Sequence, residues 1–158
     1  MGLETATGTG LASAIERTVT GPMWHGPALS ELLRDVTHEQ AAARPIDGAH
    51  TVWELVSHVT AWAEISRQRL AGAARLDVRP EEDWPPMPAS AAGTWKHALE
   101  RLEDAHRTLA HEVTGLDEAA LDGKVAGHDY SVRTMLHGVI EHGTYHGGQI
   151  ALLKKVAR

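Results

Sequence analysis

Two histidines four residues apart, His142 and His146, sit in the run Glu141-His142-Gly143-Thr144-Tyr145-His146-Gly147-Gly148-Gln149-Ile150. On a helix this spacing places both imidazoles on one face, where they can share a metal ion. The spacing alone is weak evidence, because 11 histidines among 158 residues give about one such pair by random placement. The setting adds weight. Met135, Gly138, Val139, His142, His146, Gln149, Ile150 and Leu153 recur at helical spacing, so the pair lies on the apolar stripe of an amphipathic helix. Neutral but polar rings on a buried stripe need partners, and a shared cation is one good partner.

A third ring is available on another predicted helix. His58 follows the capping box Thr51-Val52-Trp53-Glu54 and lies among Trp53, Leu55, Val56, Val59, Trp62, Ile65 and Leu70, the apolar positions of a helix closed by Ala71-Gly72. By its position it reads either as a boundary histidine bonded locally or as a third ligand facing the pair. Glu54, one turn before His58, orients a ligand or acts as a base in one reading and is only the capping-box carboxylate in the other. Gln149, three after His146, can hydrogen-bond a ligand or bound water, or satisfy a buried backbone group. Trp62 and Tyr145 are candidate walls of a cavity, with core packing the competing role for Trp62. Glu141 points about 100° away from His142. His25 and His50 precede helices and His137 lies on a different face, so none of these is expected to bind the metal.

Composition narrows the chemistry. No cysteine is present, so disulfides, thiolate nucleophiles and Cys-type zinc sites are excluded, and metal ligands must be His, Asp or Glu. Net charge of -6 and a pI near 6.0 come with no Lys/Arg stripe, which argues against a nucleic-acid partner. No apolar run approaches the roughly 20 residues that cross a bilayer. The first ten residues lack a basic start and an apolar core, so no signal peptide and a cytoplasmic location are expected. With 5 Trp and no Phe, each indole is expected to fill a large share of the core.

The elements that must position these groups are helices within one domain, residues 1–158. Gly2 to Gly10 reads as frayed. Leu11, Ile15 and Val19 mark a short helix ended by Gly21-Pro22, and the apolar pattern of Leu29, Leu32, Leu33 and Val36 follows. Thr37 and Gln40 form a capping box for one more turn. Arg44-Pro45-Ile46-Asp47-Gly48 is a loop before the helix that carries His58. Ala73 to Ser90 holds four prolines and the acidic Glu81-Glu82-Asp83. No helix is expected there; the triplet reads as solvated, with rimming of a pocket as the lesser alternative. A connector of about 18 residues is long enough to return the chain along a bundle, so its flanking helices can run parallel.

A third long helix, about Ala91 to Val113, buries Trp95, Ala98, Leu99, Leu102, Ala105, Leu109 and Val113, and places His97, His106 and His111 among charged neighbours, where they read as exposed. One turn at Leu116 to Leu121 and a polar loop lead to the last helix, capped by Ser131. Gly138, Gly143, Gly147 and Gly148 each cost about 1 kcal/mol against Ala inside it, which points to close approach of a neighbouring helix, subunit or ligand. The pattern is an all-α four-helix bundle with a long crossover between the second and third helices.

Trp24-His25-Gly26-Pro27, His50 through His58 and Glu141 through Ile150, in this order and spacing, resemble the DinB/YfiT-like superfamily of metal-binding four-helix bundles. The resemblance covers most of the chain, and His-x-x-x-His followed by Gly-Gln is its most specific part. It implies an up-down-down-up arrangement, His58, His142 and His146 as the three metal ligands, and a homodimer. Some members are thiol-dependent S-transferases or isomerases, so a low-molecular-weight thiol is an implied cofactor. Three imidazoles suit zinc, nickel, iron, cobalt or manganese without choosing among them, and a divalent ion so held activates a bound water or thiol or polarises a carbonyl. The expected function is therefore a metal-dependent enzyme of the thiol S-transferase or hydrolase class acting on a small molecule. The alternative is a non-catalytic metal-dependent small-molecule binding or stress-response module.

Overall fold

In the computed structural model, which describes residues 7–74 and 77–156, eight helices follow one another: α1 (Gly8–Thr20), α2 (Leu29–Leu33), α3 (His38–Ala42), α4 (Val52–Leu70), α5 (Pro80–Asp83), α6 (Ala92–Thr114), α7 (Glu118–Asp122) and α8 (Val132–Val156). The long ones, α1, α4, α6 and α8, form a four-helix bundle. Each packs on two neighbours, in the ring order α1, α6, α4, α8. Trp53 meets Trp95 near the starts of α4 and α6, and Arg67 pairs with Glu112 near their ends, so these two run parallel. His58 meets His142 while Arg69 meets Tyr130, so α4 and α8 run antiparallel. Gly8 at the start of α1 abuts Val113 at the end of α6 and Leu116 just beyond it. The arrangement is up-down-down-up, made possible by the long connector between α4 and α6. Among the described residues no helix is long and apolar enough to cross a membrane.

Local signals set the helix ends. Thr51 Oγ1 accepts from Glu54 N at 3.1 Å while the Glu54 carboxylate accepts from Thr51 N at 2.7 Å, and the Thr37/Gln40 box closes the same way. Ser131 Oγ accepts from Thr134 N at 3.1 Å and caps α8. Gly21 and Gly72 stop α1 and α4 at φ of 75° and 91°, a region open to glycine at little cost.

Four expectations change. α1 begins at Gly8, because Thr7 Oγ1 accepts from Gly10 N at 3.1 Å and caps it; Gly2 to Ala6 lie outside the described residues. The connector contains one helical turn, α5, since Pro at the first helical position needs no donor and the Glu82 carboxylate accepts from Arg79 N. Trp24 contributes nothing to the core; it stands fully exposed on the turn between Met23 and Gly26. His106 is buried, at 1% exposure. Its sequence neighbours Asp104 and Arg107 are charged, but position 106 falls four after Leu102 and three before Leu109, on the inward stripe.

The apolar core is in two clusters. One gathers Trp53, Leu55, Val59, Trp95, Leu102 and Ile150; the other gathers Leu11, Ile15, Ala63, Leu109, Met135 and Val139. The helices α4, α6 and α8 pass from one cluster to the other close to His58, His106 and His142. The histidines thus form a polar layer across the middle of the bundle.

Candidate metal centre

Three ring nitrogens converge in that layer. His142 Nε2 lies 2.9 Å from His58 Nε2 and 3.0 Å from His146 Nε2, and the three residues form a cluster able to hold a metal ion. One helix turn separates His142 from His146, and the antiparallel crossing of α4 brings His58 to face both. Gly143 lets α8 approach α1: a Cβ there would meet Thr18 Cγ2 at 2.5 Å. The close-approach explanation therefore holds for Gly143. Gly147 has ordinary room against Leu29, and Gly138 and Gly148 have no neighbour within 4 Å.

The outer nitrogens fix which atoms face inward. His58 Nδ1 lies 2.6 Å from the Asp83 carbonyl oxygen, which can only accept, so Nδ1 carries the proton and Nε2 presents a lone pair. His146 Nδ1 lies 2.6 Å from Gln149 Oε1, while Gln149 Nε2 donates to the Tyr145 hydroxyl. His146 therefore also turns a lone pair inward. Both lone pairs point at His142 Nε2, which has at most one proton to donate. A cation shared by all three nitrogens relieves this crowding, and each outer bond raises the basicity of its ring. The residues present fit a divalent ion.

Burial is the main reason all three rings hold protons weakly. It lowers His142 from its ordinary 6.5 to about 3, with the charges of His146, His58 and His106 adding to the effect. Burial likewise lowers His58, against the opposing pull of the Asp83 carbonyl and carboxylate. It lowers His146 against the Gln149 hydrogen bond. Rings that stay neutral near pH 7 are the form a metal needs.

A cavity of about 550 Å³ opens beside the three imidazoles. Trp62, Met135 and Val139 give it an apolar wall, and Asp83 and Tyr145 stand at its rim near the histidines. Trp62 Nε1 donates to Asp83 Oδ1 at 2.7 Å, and its ring lies edge-on to His142 with centroids 6.1 Å apart.

A family model described as the DinB superfamily matches residues 24–150. The chain belongs to that superfamily. No curated protein and no solved structure matches it.

Among the expected residues of this DinB-superfamily chain, His58, His142 and His146 come together, with Gln149 on His146 and Trp62 and Tyr145 on the cavity. Glu54 is held elsewhere: its carboxylate takes Thr51 N, the Arg44 guanidinium at 2.7 Å and His50 Nδ1 at 3.4 Å. Glu54 reaches the centre only through a stack, in which His50 lies on Trp84 and Trp84 lies on His58, with centroids 3.5 and 3.9 Å apart. Sequence reasoning missed Trp84 and Asp83 as partners of His58. Their one signal was an acidic, Trp-bearing patch inside a proline-rich connector. It also did not place Arg69 and Tyr130 on the cavity, which they line together.

Proposed function

We propose that this protein is a metal-dependent enzyme of the thiol S-transferase or hydrolase class, acting on a small molecule held beside His58, His142 and His146. The observation that carries the reading is the convergence of three Nε2 atoms, two with fixed inward lone pairs, on the wall of a cavity large enough for a substrate. A bound zinc, nickel, iron, cobalt or manganese ion would lower the pKa of a water or thiol there and polarise a substrate carbonyl. The chain has no cysteine, so in S-transfer the sulfur comes from a low-molecular-weight thiol. Its S–H proton passes to solvent water as the sulfur bonds the electrophilic carbon, and the leaving group departs with the electron pair of the broken bond.

Within this reading the chain's own groups divide the work. Trp62, Met135 and Val139 exclude water. Asp83 holds the His58 ring, since its carbonyl accepts from Nδ1 and its carboxylate lies 3.3 Å from the same nitrogen. Gln149 positions His146. Glu54 acts at a distance by holding His50 against Trp84. A homodimer belongs to the same reading and is supported by Tyr145, Leu152 and Val156, which are exposed on α8.

The test is reconstitution with each of the five metals, elemental analysis, and assay of thiol addition to 1-chloro-2,4-dinitrobenzene and hydrolysis of 4-nitrophenyl acetate. Stoichiometric metal lost in His142→Ala, with turnover that follows the metal, is the expected result. Full metal retention in His142→Ala would sink the centre; metal without turnover would leave the non-catalytic binding module.

A further inference from the structure

The cavity has a second polar end. Arg69, eleven residues beyond His58 on α4, turns inward and is only 7% exposed. Its Nη1 donates to the Tyr130 hydroxyl at 2.9 Å, and its guanidinium carbon lies 5.5 Å from the Trp62 ring centroid. Ser66 and Thr134 line the same end. Neutralising the helix C-terminus does not require this placement, because Arg67 occupies the same last turn and stays exposed. A buried guanidinium on a cavity wall attracts an anion more strongly than an exposed one, because less water competes for it. Between Arg69 and the imidazoles Trp62, Met135 and Val139 line the cavity, and one indole neighbours both ends: the guanidinium carbon and the His142 ring lie 5.5 and 6.1 Å from the Trp62 ring. The layout is cation, apolar wall, metal ligands.

We propose that Arg69, oriented by Tyr130, is the anion-recognition group of this cavity, and that its ligand is a small organic carboxylate. The apolar body lies along Trp62, Met135 and Val139, and the reactive end reaches the three imidazoles. This assignment rests on the metal-centre reading above. A planar guanidinium fork takes a carboxylate on two parallel hydrogen bonds, which an amide of the same shape cannot match.

The experiment compares 3-phenylpropanoate with neutral 3-phenylpropanamide by NMR titration of the full-length chain, zinc-loaded and again in excess chelator. The carboxylate binds about tenfold or more tightly than the amide in both states, and the Arg69 Nε–H resonance moves on titration. In Arg69→Gln the two probes bind alike. Equal binding of the two probes to the unaltered protein overturns the proposal. So does a preference that survives Arg69→Gln but vanishes with chelator, since the carboxylate is then on the ion. Should Arg69→Gln fail to fold, the Arg69 resonance decides the question in the unaltered protein. Failure to take up any of the five metals would sink the metal centre alone, because the chelated arm still reads Arg69.

Discussion

The His58 imidazole and the Trp84 indole lie face to face, with centroids 3.9 Å apart and planes within 4°. Trp84 belongs to the connector, and it packs against the core cluster of Trp53 and Leu55. The connector thereby fixes the plane of one ring of the three-histidine cluster, while the Asp83 carbonyl fixes its tautomer.

Replacing Trp84 with Ala removes that stacking partner and leaves the three imidazoles themselves unaltered. Metal affinity is expected to fall by about tenfold, at the low end of what groups supporting metal ligands contribute, with Trp84→Phe intermediate. Competition against a chromophoric chelator measures it, and an unchanged affinity in Trp84→Ala would show the stack to be idle.

Gln149→Leu leaves His146 Nδ1 without its acceptor, so the ring can protonate the wrong nitrogen. A loss of about 10–100-fold in metal affinity is expected, whereas Gln149→Glu keeps an acceptor and retains binding. The same chelator competition distinguishes them. Parity of Gln149→Leu with the unaltered protein would remove Gln149 from the site.

Two glycines of α8 should respond in opposite directions. Gly143→Ala drives a methyl into Thr18 Cγ2 and should destabilise the fold by about 1–3 kcal/mol. Thr18→Ser in that background removes the opposing methyl and should restore much of the loss. Gly148→Ala meets nothing within 4 Å and should stabilise by about 0.5–1 kcal/mol. Urea denaturation of the metal-free protein gives all three values, and a neutral Gly143→Ala would contradict the packing described.

Acid should unfold the metal-free protein through its histidines. Burial lowers His58, His142, His146 and His106 below the ordinary 6.5. At pH values between the folded and unfolded pKa the unfolded chain binds protons that the folded chain does not. Stability is therefore complete above about pH 6.5 and declines as pH falls, for His142 down to about 3, by about 1.4 kcal/mol per pH unit for each proton of difference. His106, whose Nδ1 donates to the Leu102 carbonyl while Nε2 is buried without a partner, contributes one of these protons. His106→Leu should flatten the slope between pH 7 and 5. Denaturation midpoints with pH-independent values would refute the shared burial of these rings.

Local rules made much of the fold legible. Capping boxes at Thr37 and Thr51, the Ser131 cap and the apolar stripes of α4 and α8 depend on residues within one or two turns, and these set the helices where expected. The His142/His146 pair is local in the same sense. Where sequence neighbours and spatial neighbours differ, local reading failed. His106 has charged neighbours along the chain and apolar ones across the bundle, so its burial emerged only from packing. The same holds for the connector, whose prolines forecast a loop but not that Asp83 and Trp84 return to His58, 25 residues apart in the Asp83 contact.

The sequence by itself determined four helices, a pair of histidines on one inward face and a third histidine on another, because helical periodicity and capping act over a few residues. Tertiary structure decided that the three Nε2 atoms meet, that the outer nitrogen of His58 finds the Asp83 carbonyl, and that Arg69 and Tyr130 line the far end of the same cavity. Those relations join residues as many as 84 positions apart, and the antiparallel crossing of α4 and α8, with the return of the connector to α4, brings them within bonding distance.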